Sequence, residues 1–108
     1  MNYTPDNWVV IKLDDGVDPH YRVLAGWSGG YLDGDRWRVN SGITKVEEDE
    51  HYFYFYGSSG SCYQCRKTFY CLRMNNAHVW SKLEKLHGDK VEMMPEDTDW
   101  ASMDWIIK

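Results

Sequence analysis

The chain has 108 residues, a net charge of −5, 16% aromatic side chains and three cysteines. That is enough chain for one domain around a single aromatic core, which needs neither metal nor disulfide to fold. The odd cysteine count argues against a secreted disulfide framework, the acidic balance argues against nonspecific nucleic-acid binding, and no apolar run approaches the ~20 residues of a membrane span.

Residues 1–10 (MNYTPDNWVV) lack a basic region followed by a long apolar run, so no signal peptide is expected. With free thiols, the expected location is the cytoplasm. Charge is unevenly placed: residues 61–90 carry six basic side chains against two acidic, while 1–60 and 91–108 are both acidic. A solvated surface explains this, and so does a basic patch framed by acid that steers a charged partner.

No repeat, low-complexity tract or linker interrupts the chain, so residues 1–108 are read as a single domain. Residues 7–13 (NWVVIKL) read as a strand, broken by Asp14, Asp15, Gly16 and Pro19. Residues 21–27 (YRVLAGW) form a second strand, which Gly29 and Gly30 are expected to end. Asp33-Gly34-Asp35 is a hairpin turn signal leading into residues 36–39 (RWRV), where Trp37 and Val39 face inward and Arg36 and Arg38 outward. Asn40-Ser41-Gly42 turns the chain into a strand at 43–47, and the acidic run 47–50 turns it again. Residues 51–56 (HYFYFY) are the strongest strand signal. Across the Gly/Ser loop 57–61 they are expected to pair with residues 62–72.

One helix is expected over residues 77–87, with Asn75 or Asn76 as N-cap, an apolar stripe of Val79, Trp80, Leu83 and Leu86, and Gly88 just past its end. Lys82, Lys85 and His87 fall in the last turns, where cations suit the helix dipole. Residues 90–94 read as a last strand. The acidic tail from Pro95 ends in Trp105, Ile106 and Ile107, apolar enough to dock on the domain. The expected fold is α+β: a curved antiparallel β-meander of five to seven strands with one α-helix packed on it.

Residues 24–43 (LAGWSGGYLDGDRWRVNSGI), about a fifth of the chain, resemble a stretch in short uncharacterised proteins encoded by tailed bacteriophages. That family has no motif of known chemistry, so no functional residue carries over. The resemblance implies a context in which a small viral protein binds and redirects a host factor, and hence a host-encoded protein partner.

Three constellations carry possible chemistry. Cys62, Cys65, Cys71 and His78 have a CCCH spacing that suits one zinc. Against this, residues 66–70 (RKTFY) hold no turn former and should run extended. That would set Cys65 and Cys71 roughly 20 Å apart at ~3.3 Å per residue. No cofactor is therefore expected, with one zinc on those four residues as the alternative. Tyr52, Tyr54 and Tyr56 share one strand face, either as a solvated outer face or as a platform for a base, sugar or protein. Gly57-Ser58-Ser59-Gly60 resembles a phosphate loop in composition alone, lacking the Gly-Lys-Ser/Thr that should follow. With Arg66 it gives a second alternative, a nucleotide-binding protein or minor enzyme, although no paired acid, base and nucleophile is visible.

The function these residues favour is a small non-catalytic binding protein, which the resemblance to phage proteins would make an inhibitor or modulator of a host protein. Its contact residues are expected among Trp27, Tyr31, Arg36, Trp37 and Arg38, where aromatics and arginine meet glycine-rich turns, and among Tyr52, Tyr54 and Tyr56. A small zinc-binding regulatory module is the alternative. Nucleic-acid and membrane partners are not expected.

Overall fold

The computed structural model describes residues 2–14, 19–30, 34–103 and Trp105, with 28–30 and 34–35 described through their backbone alone. Its central strand is Asn7–Leu13, in which every residue except Lys12 is buried. The strand is apolar on both faces: Trp8 and Val10 on one, Val9, Ile11 and Leu13 on the other. A single helix can cover only one of them, so the other requires a second sheet.

In chain order the strands are β1 (Asn2–Tyr3), β2 (Asn7–Leu13), β3 (His20–Gly30), β4 (Gly34–Val39), β5 (Ile43–Glu48), β6 (Tyr52–Gly57), β7 (Cys62–Arg66) and β8 (Val91–Met93). Helix α1 spans Met74–His87, and short 3-10 turns occupy Gly88–Lys90 and Trp100–Ser102. One sheet has the order β4-β3-β2-β8 and the other β1-β7-β6-β5. All pairings are antiparallel except β1 with β7. The class is α+β as expected, but the described residues form eight strands in two sheets. Each sheet contains a three-strand meander, β2-β3-β4 and β5-β6-β7.

Trp8, Val10, Tyr21, Val23 and Ala25 face the second sheet and meet Ile43, Phe55, Tyr63 and Cys65. Trp100 and Trp105 from the tail close this core, stacked on each other with ring centroids 6.1 Å apart. The tail therefore docks as its composition suggested, although Ile106 and Ile107 lie outside the described residues. On the other face, Val9, Ile11, Leu13 and Leu24 pack with Val79 and Val91, and Trp80 and Leu83 are half-buried against them. Leu86 continues the helical stripe but is 76% exposed.

Several boundaries differ from the sequence reading. β3 runs three residues past Trp27, through Gly29 to Gly30, with a register irregularity between Trp27 and Gly30. The β6–β7 hairpin forms with Tyr52 opposite Arg66 and Tyr56 opposite Cys62, but its second arm stops at Arg66. There the chain turns, Phe69 N–H donating to Arg66 C=O at 3.1 Å. The Arg66 carbonyl also accepts from Trp8 Nε1 at 2.8 Å. Residues 69–71 then leave for β2: Trp8 N–H donates to Phe69 C=O at 3.2 Å and Cys71 N–H to Trp8 C=O at 3.0 Å. Residues 66–70 are thus not extended, because β6 begins at Tyr52 and β2 supplies the next backbone partners.

The helix also begins earlier than expected, with Arg73 as its N-cap residue. Asn75 and Asn76 lie inside the first turn and are fully buried. Asn76 Oδ1 accepts the Arg73 N–H at 2.9 Å, and Asn76 Nδ2 donates to Leu24 C=O at 3.3 Å. Asn7 Nδ2 donates to Asn75 Oδ1 at 3.1 Å, and Asn75 Nδ2 returns a bond to Asn7 Oδ1 at 2.7 Å. Gly26 makes room for this: a Cβ there would lie 2.1 Å from Asn75 Oδ1. Gly26→Ala is expected to cost about 1–3 kcal/mol by overpacking. Chemical denaturation should show a smaller cost for the same change in an Asn75→Ala background, because the two positions share one space.

Candidate functional site

A groove of about 290 Å³ opens where edge strand β1 of one sheet meets edge strand β4 of the other. Asn2, Tyr3 and Thr4 form one wall, and Trp27, Arg36, Trp37 and Arg38 the other. Cross-strand pairing explains the placement. Arg36 lies opposite Trp27 and Arg38 opposite Ala25, so both arginines share the face that looks toward the second sheet. At the sheet edge that face looks onto β1. The Arg38 guanidinium lies 4.6 Å from the centre of the Tyr3 ring, a cation–π distance.

The aromatic floor is held from several sides. Trp27 Nε1 donates to Thr4 C=O at 3.1 Å, and its ring meets Tyr3 edge-on at 6.2 Å. Tyr3 in turn packs on Tyr63 at 4.9 Å. Burial pushes the Tyr63 phenol up to about 12 against the opposing pull of Arg38, so it stays neutral beneath the groove. Arg36 and Arg38 are exposed, and Trp37 is 49% exposed. The residues alternate along β4, but not as inward and outward. The arginines lie on the side toward the second sheet, exposed because β4 is an edge strand. Val39 packs on the helix-side core, whereas Trp37, expected to face inward, is exposed. Trp37 shares that side, 6.3 Å from the His78 ring, but the edge leaves it half uncovered. Tyr31 lies outside the described residues. A second hollow, of about 340 Å³, is walled by Lys12, Asp14, Asp89, Lys90 and Glu92, with no aromatic surface to hold a ligand.

Tyr52, Tyr54 and Tyr56 share the outer face of the β1-β7-β6-β5 sheet, each half-buried and each engaged by a neighbour. Arg66 Nη2 donates to the Tyr52 hydroxyl at 3.1 Å. Lys45 Nζ stands 4.5 Å over the Tyr56 ring. The Tyr54 hydroxyl donates to Asp49 Oδ2 at 2.5 Å, while Asp49 Oδ1 accepts the His51 and Tyr52 N–H groups at 2.9 Å each. These contacts make the face internally satisfied.

The cysteines do not converge as the spacing suggested. Cys62 pairs across with Tyr56 and Cys65 with Phe53, so the two point to opposite faces of β7. Cys65 is fully buried, Cys62 and Cys71 partly so, and His78 is an exposed helix residue. Among the described residues, no group of three or more His, Cys, Asp or Glu is placed to hold a metal ion. Desolvation raises the Cys65 thiol well above its ordinary value and raises Cys62 less, leaving both protonated and poorly nucleophilic.

The Gly/Ser loop is likewise committed to the protein. Ser58 N–H donates to Gly42 C=O and Ser59 N–H to Ser41 Oγ, both at 3.0 Å. Arg66 lies at the opposite end of β7 from this loop. Sequence reasoning missed Asn2, Tyr3 and Thr4 as groove residues, since nothing local marks a short strand that crosses to pair with β7. No family model matches the chain, and no curated protein or solved structure matches it. Among the described residues, no helix is long and apolar enough to cross a membrane.

The Asp49–Tyr54 contact has a pH signature. Tyr54, then the His51 and Tyr52 amides, hold the Asp49 carboxyl below its ordinary 3.8, and the same bond pushes Tyr54 from 10.0 to about 12. A phenol raised on folding stabilises fully below pH 10 and loses that contribution as pH climbs to about 12. The depressed carboxyl loses its own contribution as pH falls through its folded value. NMR titration of the Tyr54 ring should report a midpoint near 12, moving toward 10 in Asp49→Ala.

Proposed function

We propose that this chain is a small non-catalytic binding protein whose contact surface is the groove between β1 and β4. The observation that carries the reading is the convergence of two exposed guanidinium groups, from Arg36 and Arg38, with Tyr3, Trp27 and Trp37 around one cavity. Arginine and large aromatics dominate binding energy in protein interfaces because they bury much area and still offer donors. Here Trp27 is braced by Thr4 and Tyr3 by Tyr63, so these two rings lose little side-chain entropy on contact. The partner is proposed to be a protein, host-encoded where the resemblance to phage proteins reflects origin.

Replacing Arg36 and Arg38 together by Ala should leave the fold intact, since both are exposed. It should weaken the complex with a recovered partner by about 1 kcal/mol or more. Wild-type affinity in the double variant, measured by calorimetry, would place the contact surface elsewhere.

A metal-free protein fits the opposed directions of Cys62 and Cys65 better than a zinc module does. Elemental analysis of the purified chain is expected to find no stoichiometric zinc. About one zinc per chain, lost together with the fold on chelation, would make Cys62, Cys65, Cys71 and His78 ligands after all.

A further inference from the structure

We propose that the groove takes an extended acidic peptide segment, which adds as a fifth strand to β4 with acidic side chains at alternate positions. This rests on the groove being the contact surface and specifies what occupies it.

The main chain of β4 points the right way. Asn40 N–H donates to Val23 C=O at 3.1 Å, which marks that residue pair as hydrogen-bonded. In an antiparallel ladder such pairs recur every second residue, so Arg38 with Ala25 and Arg36 with Trp27 follow. The N–H and C=O of Trp37 and Val39 are therefore turned away from β3. Among the described residues β4 pairs with no other strand. Trp37 lines the groove although its ring stands on the helix side near His78, which brings the β4 main chain to the groove wall.

The other edges suit such a ligand poorly. β1 and β8 are two and three residues long, too short to hold an added strand in register. β5 is as long as β4 but ends in Glu47 and Glu48, followed by Asp49 and Glu50, which repel an acidic segment. A second copy pairing through β4 would set its own Arg36 and Arg38 against the first pair, and like charges directly opposite are destabilising.

Charge and spacing then define the ligand. Arg36 and Arg38 are two residues apart on one face, a separation of roughly 7 Å. An added strand has the same repeat, so carboxylates at its positions i and i+2 face both guanidinium groups. The residue between them faces the helix side, beside the half-exposed Trp37 ring, and suits an apolar side chain. The recognised pattern is acidic–apolar–acidic, with main-chain bonds supplying affinity and the arginine pair selecting sequence.

The test uses the full chain and a synthetic heptapeptide of alternating Glu and Val, capped at both ends. Calorimetry should detect binding, and amide exchange should show the Trp37 N–H becoming protected when peptide is added. A Lys/Val peptide should not bind, and N-methylation of the peptide backbone on its bonding edge should abolish binding. Arg36→Ala with Arg38→Ala should weaken it by about tenfold, the effect of two cross-strand charge pairs. No binding at millimolar peptide would overturn the proposal, as would binding that ignores N-methylation and leaves the Trp37 amide unprotected. A dimer that protects that amide without peptide would overturn it in favour of self-pairing. If the peptide fails while the double variant still weakens a recovered protein partner, the groove remains the contact surface and only the strand-addition inference falls.

Discussion

Asn7 opens β2, is fully buried, and presents one side-chain amide both to the helix start and to the segment that leads into it. Its Nδ2 lies within 3.1–3.2 Å of Cys71 C=O, Asn75 Oδ1 and Asn76 Oδ1. A buried amide left without partners costs about 1–3 kcal/mol, so these three asparagines stand or fall as a set. Because Asn76 also accepts the Arg73 N–H, the group that starts the helix is the one that docks it. Gly26 supplies the space, and Gly26 lies directly opposite Trp37 in the β3–β4 ladder. The position of α1 against the strand that walls the groove therefore follows from a polar knot inside an apolar layer.

The second organising contact is Trp8. Its ring packs on Phe53, Phe55, Tyr70 and Trp100, with centroids 4.8–6.1 Å away, while its Nε1 closes the end of β7 through the Arg66 carbonyl. Tyr70 completes the crossover: its hydroxyl donates to Met94 C=O and accepts from Val10 N–H at 3.2 Å. Burial raises that phenol to about 12, which keeps it a neutral donor at any ordinary pH. These contacts bind the two sheets along β2. They leave the sheets' other margins, β1 and β4, facing each other across Tyr3, Trp27 and Arg38. A groove at that corner is a consequence of the layering.

Much of the fold was legible because strand and turn signals are local. The β-branched run in residues 7–13, the alternation in 51–56, the Gly/Ser hairpin loop, and the helical spacing of Val79 and Leu83 depend on neighbours a few positions away, and all appear in the structure. The arginine–aromatic group Trp27, Arg36, Trp37 and Arg38 was legible for the same reason, since β3 and β4 are joined by a short connection. The division into two sheets was implicit in a strand apolar on both faces, yet no local rule states where the second sheet comes from.

What only tertiary structure decided lies at long sequence separation. Residues 66–70 carry a strand's composition but turn, because β6 had no further partner and β2, some 60 positions away, offered its main chain at Trp8. Asn75 and Asn76 look like helix caps, and became buried ligands of Asn7 because the helix start meets β2 there. Cys62 and Cys65 have the spacing of a metal knuckle, but pairing of β7 with β6 sends them to opposite faces. Asn2, Tyr3 and Thr4 carry no signal of their own and join the groove only through the parallel contact of β1 with β7. Sequence determined which segments become strands and helix and which faces are apolar, since those preferences act within a few residues. Which edges were left open, and hence where the groove lies, depended on partners that only the folded chain brings together.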